Sequence, residues 1–212
     1  MARVSNEKAK AHALAQRERI LEAAYSCFVE MGFHAAGMAA ISARADMSPG
    51  LIYRYFPAGK SAIIQGIIED QLELAEEEIR QVQQFDLPTD LLRGLDKQSD
   101  DHRRMNAPLM LELSAMASRD PEIASVVAQF DTRIREAIAA SFIRTSTANE
   151  PRPVTPDDAG TRALLVQLVF DGMLMRQARE PGFDRERMKR ALELVFASYT
   201  ANANADPASP AP

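Results

Sequence analysis

Residues 38–60 read Met-Ala-Ala-Ile-Ser-Ala-Arg-Ala-Asp-Met-Ser-Pro-Gly-Leu-Ile-Tyr-Arg-Tyr-Phe-Pro-Ala-Gly-Lys, two short helical patterns separated by a turn. In the first, Met38, Ile41, Ser42 and Ala45 recur at helical spacing, giving one small, mostly apolar face that can pack closely on a neighbouring helix. Asp46 interrupts the spacing. Ser48 and Pro49 restart it: a serine oxygen accepts from the free amides of a new helix, and proline fits the first turn because it has no amide to satisfy. The second helix is predicted to end at Phe56, since the residue before Pro57 is driven out of the helical region. About two turns remain, carrying Leu51, Ile52, Tyr53, Arg54 and Tyr55. A helix that short builds no core, so the pair reads as a helix-turn-helix.

Composition sets the frame around it. At 212 residues, nearly half of them hydrophobic, the chain can bury a real core as one large domain or as a small plus a medium one. A single cysteine, Cys27, cannot form an internal disulfide. With no charged-then-apolar leader and no long uncharged apolar run, the expectation is a soluble cytoplasmic chain with no membrane partner. A net charge of −5 looks wrong for a nucleic-acid binder until its distribution is read. Residues 1–60 carry eight Lys or Arg against five acids, a net of +3 that leaves −8 on the remainder. A basic head on an acidic body directs a phosphate backbone to one end of the molecule. The helix-turn-helix is therefore expected to bind double-stranded DNA.

From residue 17 to about 68 the sequence resembles the TetR family of bacterial transcriptional regulators. The resemblance runs through Ile20-Leu21-Glu22-Ala23-Ala24, Phe28, Gly32-Phe33, Ile41, Ala45, Ser48, Gly50, Tyr53, Tyr55-Phe56 and Lys60. It implies a three-helix DNA-binding domain, a long fourth helix as connector, and a helical remainder that dimerises and usually holds an effector. The chain departs from the family pattern in places. Ala36 and Gly37 stand where the family often has capping threonines that touch phosphate, and Asp46 stands where it prefers glycine in the turn. Aspartate tolerates a left-handed backbone better than most residues. Pro57-Ala58-Gly59-Lys60 is one residue longer than the commonest family spacing, which shifts the position from which Lys60 reaches phosphate.

In chain order, residues 1–12 are polar, with Arg3, Lys8, Lys10 and His12, and read as a mobile basic arm or a plain disordered terminus. A helix is expected from 13 to 31, with Ile20, Ala23, Ala24, Cys27, Phe28 and Met31 on one face and Gly32 ending it. Cys27 on that face reads as a small core residue. The fourth helix is expected over 59–84, broken by residues 86–90, and a shorter helix carries Leu91, Leu92 and Leu95. Residues 99–104 read as a charged connector. Asp100, Asp101 and His102 lack a second histidine or cysteine at ligand spacing, so they read as a solvated cluster and no metal is expected. Residues 108–116 form an apolar helix, and Asp120 caps the next, with Ile123, Val126, Val127, Phe130, Ile134, Ile138 and Phe142 inward. Residues 145–156 read as a loop. The helix begun by Thr155 is apolar nearly all round from 163 to 175, which predicts burial on more than one side, against a core and a partner subunit. The last helix begins at Asp184, with Phe183 stapled on Met188, and carries Leu192, Val195, Phe196 and Tyr199.

These features predict an all-α protein. Residues 1–60 form the DNA-binding helix-turn-helix domain, 61–203 a helical effector-binding and dimerisation domain, and 204–212 a disordered tail. The expected DNA-contacting residues are Arg44, Ser48, Pro49, Leu51, Tyr53, Arg54, Tyr55 and Lys60. Phosphate contacts are assigned to Tyr53, Tyr55 and Lys60, and base contact to Arg54. Met105, Met110, Met116, Met173 and Met175 either line an adaptable apolar pocket or fill the core. An effector is expected among Met110, Leu113, Met116, Phe130, Phe170 and Asp171. Asp171 either hydrogen-bonds that effector or pairs across the dimer or with a neighbour. The family resemblance places the dimer interface on the last two helices. The functional expectation is a homodimeric repressor on a near-palindromic operator, released by a small apolar effector. The alternatives are a helical interaction module or a cofactor-free helical enzyme. No nucleophile elbow, zinc-type histidine spacing or phosphate-cradling glycine loop supports catalysis, so no catalytic residue and no cofactor are expected.

Overall fold

The computed structural model describes residues 2–100, 104–146, 154–180, 182 and 184–203, with side chains described over 7–97, 104–146, 154–180, 182 and 184–197. All regular structure among these residues is helical. The helices are α1 (Ala2–Ala35), α2 (Met38–Ala45), α3 (Pro49–Tyr55), α4 (Lys60–Gln81), α5 (Leu87–Asp100), α6 (Ala107–Ala117), α7 (Pro121–Thr145), α8 (Pro156–Arg179) and α9 (Arg185–Ala203). The side chains of Asp100, Asp101, His102, Phe183 and Tyr199, most of the loop expected over 145–156 and the tail from 204 lie outside the described residues. Two compact units divide the chain, Met1–Leu74 with His102–Asp131 and Ala75–Asp101 with Thr132–Pro212. The stretches of α4 and α7 are shared out between the units, and the division does not fall at residue 60.

In the first unit, the start of α1 corrects one expectation: residues 2–12 are helical and not an irregular arm. No glycine or proline occurs between Ala2 and Met31, and Ala, Lys, Glu and Gln are strong helix formers, so the helix extends without an apolar face to bury. Residues 7–15 are accordingly exposed all round. From Ile20 onward the expected face is buried: Ile20, Ala24, Cys27 and Phe28 share one core cluster with Ile41 and Ala45 of α2, Ile52 of α3, Ile63, Ile64 and Ile67 of α4 and Leu109 and Leu113 of α6. Met31 is exposed, outside that face. Phe28 and Phe33 pack with ring centroids 4.7 Å apart, tilted by 49°, an arrangement that suits the quadrupoles of both rings. Gly66 lets α4 come close to α1, since a Cβ there would lie 2.9 Å from Leu21 and 3.1 Å from the Arg17 guanidinium.

In the second unit, α5 packs on α8 and α9. Leu91, Leu92, Leu95, Ile138, Phe142, Ala163, Val166, Met173, Leu174, Leu192 and Phe196 are buried. Gly94 admits the Phe170 ring, which would lie 3.1 Å from a Cβ at that position. Helix ends follow side-chain chemistry. Thr155 and Asp158 form a reciprocal capping box at the start of α8. Asp184 accepts the Arg187 amide at 2.9 Å at the start of α9. α4 stops at Gln81, three residues before the expected end, because the Arg144 guanidinium satisfies the carbonyls of Ile79 and Val82 at 3.2 Å each. α5 begins at Leu87, inside the expected break, with Pro88 in its first turn and the Asp86 amide donating to Asp90 at 3.0 Å. It runs to Asp100, into the expected connector. No helix among the described residues is long and apolar enough to cross a membrane.

Two outcomes follow from this packing. Phe28→Ala should cost about 3–5 kcal/mol, seen as a lowered urea midpoint, because it deletes a fully buried ring and leaves a cavity that its neighbours fill only in part; a loss below about 1 kcal/mol would contradict the placement. Burial pushes the Cys27 thiol up from its ordinary range, against the opposing Arg44 charge. It should resist alkylation at neutral pH in the folded protein and react on denaturation.

Candidate nucleic-acid interface

α2 and α3 make the predicted helix-turn-helix. α2 starts from Gly37, which offers no side-chain cap, and closes on Asp46 at φ 50° and ψ 48°. That left-handed residue turns the chain while the amides of Asp46 and Met47 donate to the carbonyls of Ala43 and Ser42 at 3.2 and 3.1 Å. Ser48 then caps α3, its Oγ accepting the Leu51 amide at 3.3 Å, with Pro49 at the first helical position. The helix ends at Tyr55, one residue before Phe56 and two before Pro57.

α3 has an inner and an outer face. Ile52 and the following Phe56 are buried in the core cluster, and Tyr55 packs half-buried against it. Ser48, Pro49, Gly50, Tyr53 and Arg54 are exposed, while Leu51 is intermediate. The Tyr53 ring lies beside Gly59, where a Cβ would be 3.1 Å from it and where φ is +65°, so this turn requires glycine on two counts. Lys60 opens α4 half-buried, and its Nζ donates to the His34 carbonyl at the end of α1 (3.4 Å). Burial pulls its ammonium below the usual range, partly opposed by the Glu112 carboxylate.

Of the eight predicted DNA-contacting residues, Ser48, Pro49, Tyr53 and Arg54 come together on the exposed surface of α3. Arg44 is engaged elsewhere: its guanidinium takes both carboxylate oxygens of Glu30, with Nη1 2.6 Å from Oε1. That hydrogen-bonded pair holds the Glu30 carboxyl below and the Arg44 guanidinium above their usual ranges. Two further cations were missed by pattern reading. Arg19 pairs with Asp46 at 3.4 Å, and Arg17 pairs with Glu69 at 3.5 Å while lying 4.6 Å over the Phe56 ring. These contacts join residues 27 to 52 positions apart, for which a sequence carries no local signal.

The six predicted effector residues divide between the units. Leu113 is buried in the first unit's core, with Met110, Met116 and Phe130 half-buried against it. In the second unit Phe170 packs at Gly94 and Asp171 is on the exposed side of α8. Of the other methionines, Met105 and Met173 are core fillers and Met175 is exposed. The second unit also contains a cleft of about 300 Å³ lined by Glu76, Ile79, Arg80, Arg133, Glu136 and Arg144 among others, and none of the six lines it. No group of three potential metal ligands occurs among the described residues.

The profile of the family described as bacterial regulatory proteins, TetR family, matches residues 20–67. That described as BetI-type transcriptional repressor, C-terminal, matches residues 92–200. The HTH-type transcriptional regulator UidR of Escherichia coli K12 is 32% identical over 160 residues, spanning 73% of this chain and 78% of that protein. The HTH-type transcriptional repressor AcnR of Corynebacterium efficiens is 26% identical, spanning 86% and 91%. Among solved structures, Salmonella enterica GusR superposes with a TM-score of 0.64 at 26% identity over 87% of this chain and 96% of that one. UidR and AcnR are named as transcriptional regulators, and the N-terminal profile covers α2 and α3 of this chain. The chain therefore belongs to the TetR family of bacterial regulatory proteins and is a sequence-specific DNA-binding transcriptional regulator.

Proposed function

We propose that the protein is a cytoplasmic homodimeric repressor that holds α3 in the major groove of an inverted-repeat operator and is released by a small, mostly apolar effector. The observation that carries the DNA half is the division of α3: Ile52 anchors it, while Ser48, Pro49, Tyr53 and Arg54 face outward. In this reading Tyr53, Tyr55 and Lys60 position the helix on phosphates, and Arg54 reaches a base edge. Arg44 exchanges part of its Glu30 pairing for phosphate.

The dimer half is supported by apolar side chains left uncovered on α8 and α9. Leu164, Leu168 and Met175, four and seven residues apart, fall on one side of α8 and are exposed, Leu168 by 61%; on α9 Leu194 is 75% exposed. Such a stripe on a helix whose opposite face is already buried calls for a symmetric partner. The effector half is supported by Met110, Met116 and Phe130, adaptable side chains half-buried at the edge of the first unit's core. Release requires the effector to bind the DNA-free form more tightly, and a coupling of about 1–3 kcal/mol would weaken operator binding roughly 5- to 150-fold.

A gel shift on the DNA flanking the protein's own gene tests the reading. Lys60→Ala should weaken binding to all sequences alike and lower the salt slope by about one, whereas Arg54→Ala should relax preference at one base position. Parental binding by both variants would contradict the assigned contacts. Leu168→Glu should give monomers in sedimentation with sharply weaker operator binding, and monomers from the unmodified chain would contradict the dimer.

A further inference from the structure

The end of α1 is held by a residue from α6. Gly32, at φ 76° and ψ 164°, breaks the helix and turns the following amide away from it. A single turn then resumes, closed by the Ala36 amide donating to the Gly32 carbonyl at 3.2 Å. The Phe33 amide at the head of that turn donates instead to Oε2 of Glu112 at 2.7 Å. The carboxylate fills the place of a side chain on Gly32, where a Cβ would lie 2.7 and 2.9 Å from its two oxygens. On the other side of the turn the His34 carbonyl accepts from Lys60 Nζ at the start of α4. Gly37, which heads α2, follows this turn directly and brings no side-chain cap of its own.

We propose that Glu112 is a positioning residue for DNA binding: its carboxylate caps the last turn of α1 and so sets where α2, and with it α3, begins. The residue lies in the stretch matched by the C-terminal family profile, outside residues 20–67, yet it shares one compact unit with the helix-turn-helix. Glu112 acts through an accepted hydrogen bond, not through its charge. Charge alone has the opposite sign, because removing a carboxylate from the unit that carries the helix-turn-helix would tighten binding to every DNA.

The full-length chain is tested as Glu112→Ala and Glu112→Gln, against the operator fragment and a random-sequence duplex. The Ala variant should lose about tenfold in operator affinity, the scale of one charge-assisted hydrogen bond, while its random-duplex affinity stays level or rises. The Gln variant, whose amide oxygen still accepts from Phe33, should stay within about twofold of the parent. Parental operator binding by the Ala variant, an equal loss in the Gln variant, or random-duplex binding that falls in step with the operator would each overturn the proposal. The inference rests on the operator reading above, and a measurement without DNA separates the two: in the unmodified chain the Phe33 amide should exchange slowly with solvent. Exchange at the rate of an exposed amide would overturn the Glu112 cap whatever the operator proves to be, and this arm stands even if the Ala variant fails to fold.

Discussion

A seven-residue helix cannot hold itself together in water, where isolated helices shorter than about 12–15 residues are marginal. α3 exists because Ile52, with Phe56 just after it, is locked into a core built by α1, α2, α4 and α6. Everything else in the first unit can be read as service to that constraint. Gly66 brings α4 against α1, and Arg17 covers the Phe56 ring while pairing with Glu69 of α4. The outcome is a short helix whose inner face is fixed in the core and whose outer face is left exposed.

The cations of residues 1–60 are also more restrained than their formal charge. Arg17, Arg19 and Arg44 each have a carboxylate partner on the protein surface. Exposed pairs of this kind contribute little to stability, so phosphate can compete for them, at the cost of parting each pair. Binding that must displace internal partners gains less from indiscriminate charge and depends more on fit.

How much of this was legible follows from the range of each signal. The helix-turn-helix could be read because its determinants are local: Ser48 capping α3, Pro49 beside it, the left-handed Asp46 and the stop before Pro57. The apolar face of α1 from Ile20 was equally plain. Its N-terminal extension was not, because strong helix formers without an apolar period give no pattern, only a propensity. The early end of α4 depends on Arg144, the engagement of Arg44 on Glu30, and the last turn of α1 on Glu112. Each is a contact between distant residues that only folding brings together. Gly32 could be read as a helix end; that its missing side chain makes room for a carboxylate could not.

The central claim is that α3 reads base edges in the major groove of two symmetric half-sites. Methylation interference on the DNA flanking the protein's own gene tests it directly, because methyl groups on guanine N7 obstruct the major groove and those on adenine N3 the minor groove. The account predicts interference at guanine N7 in two patches related by an inverted repeat and spaced by about 34–36 Å or somewhat more. Interference confined to adenine N3, or a single patch without a symmetric mate, would contradict it.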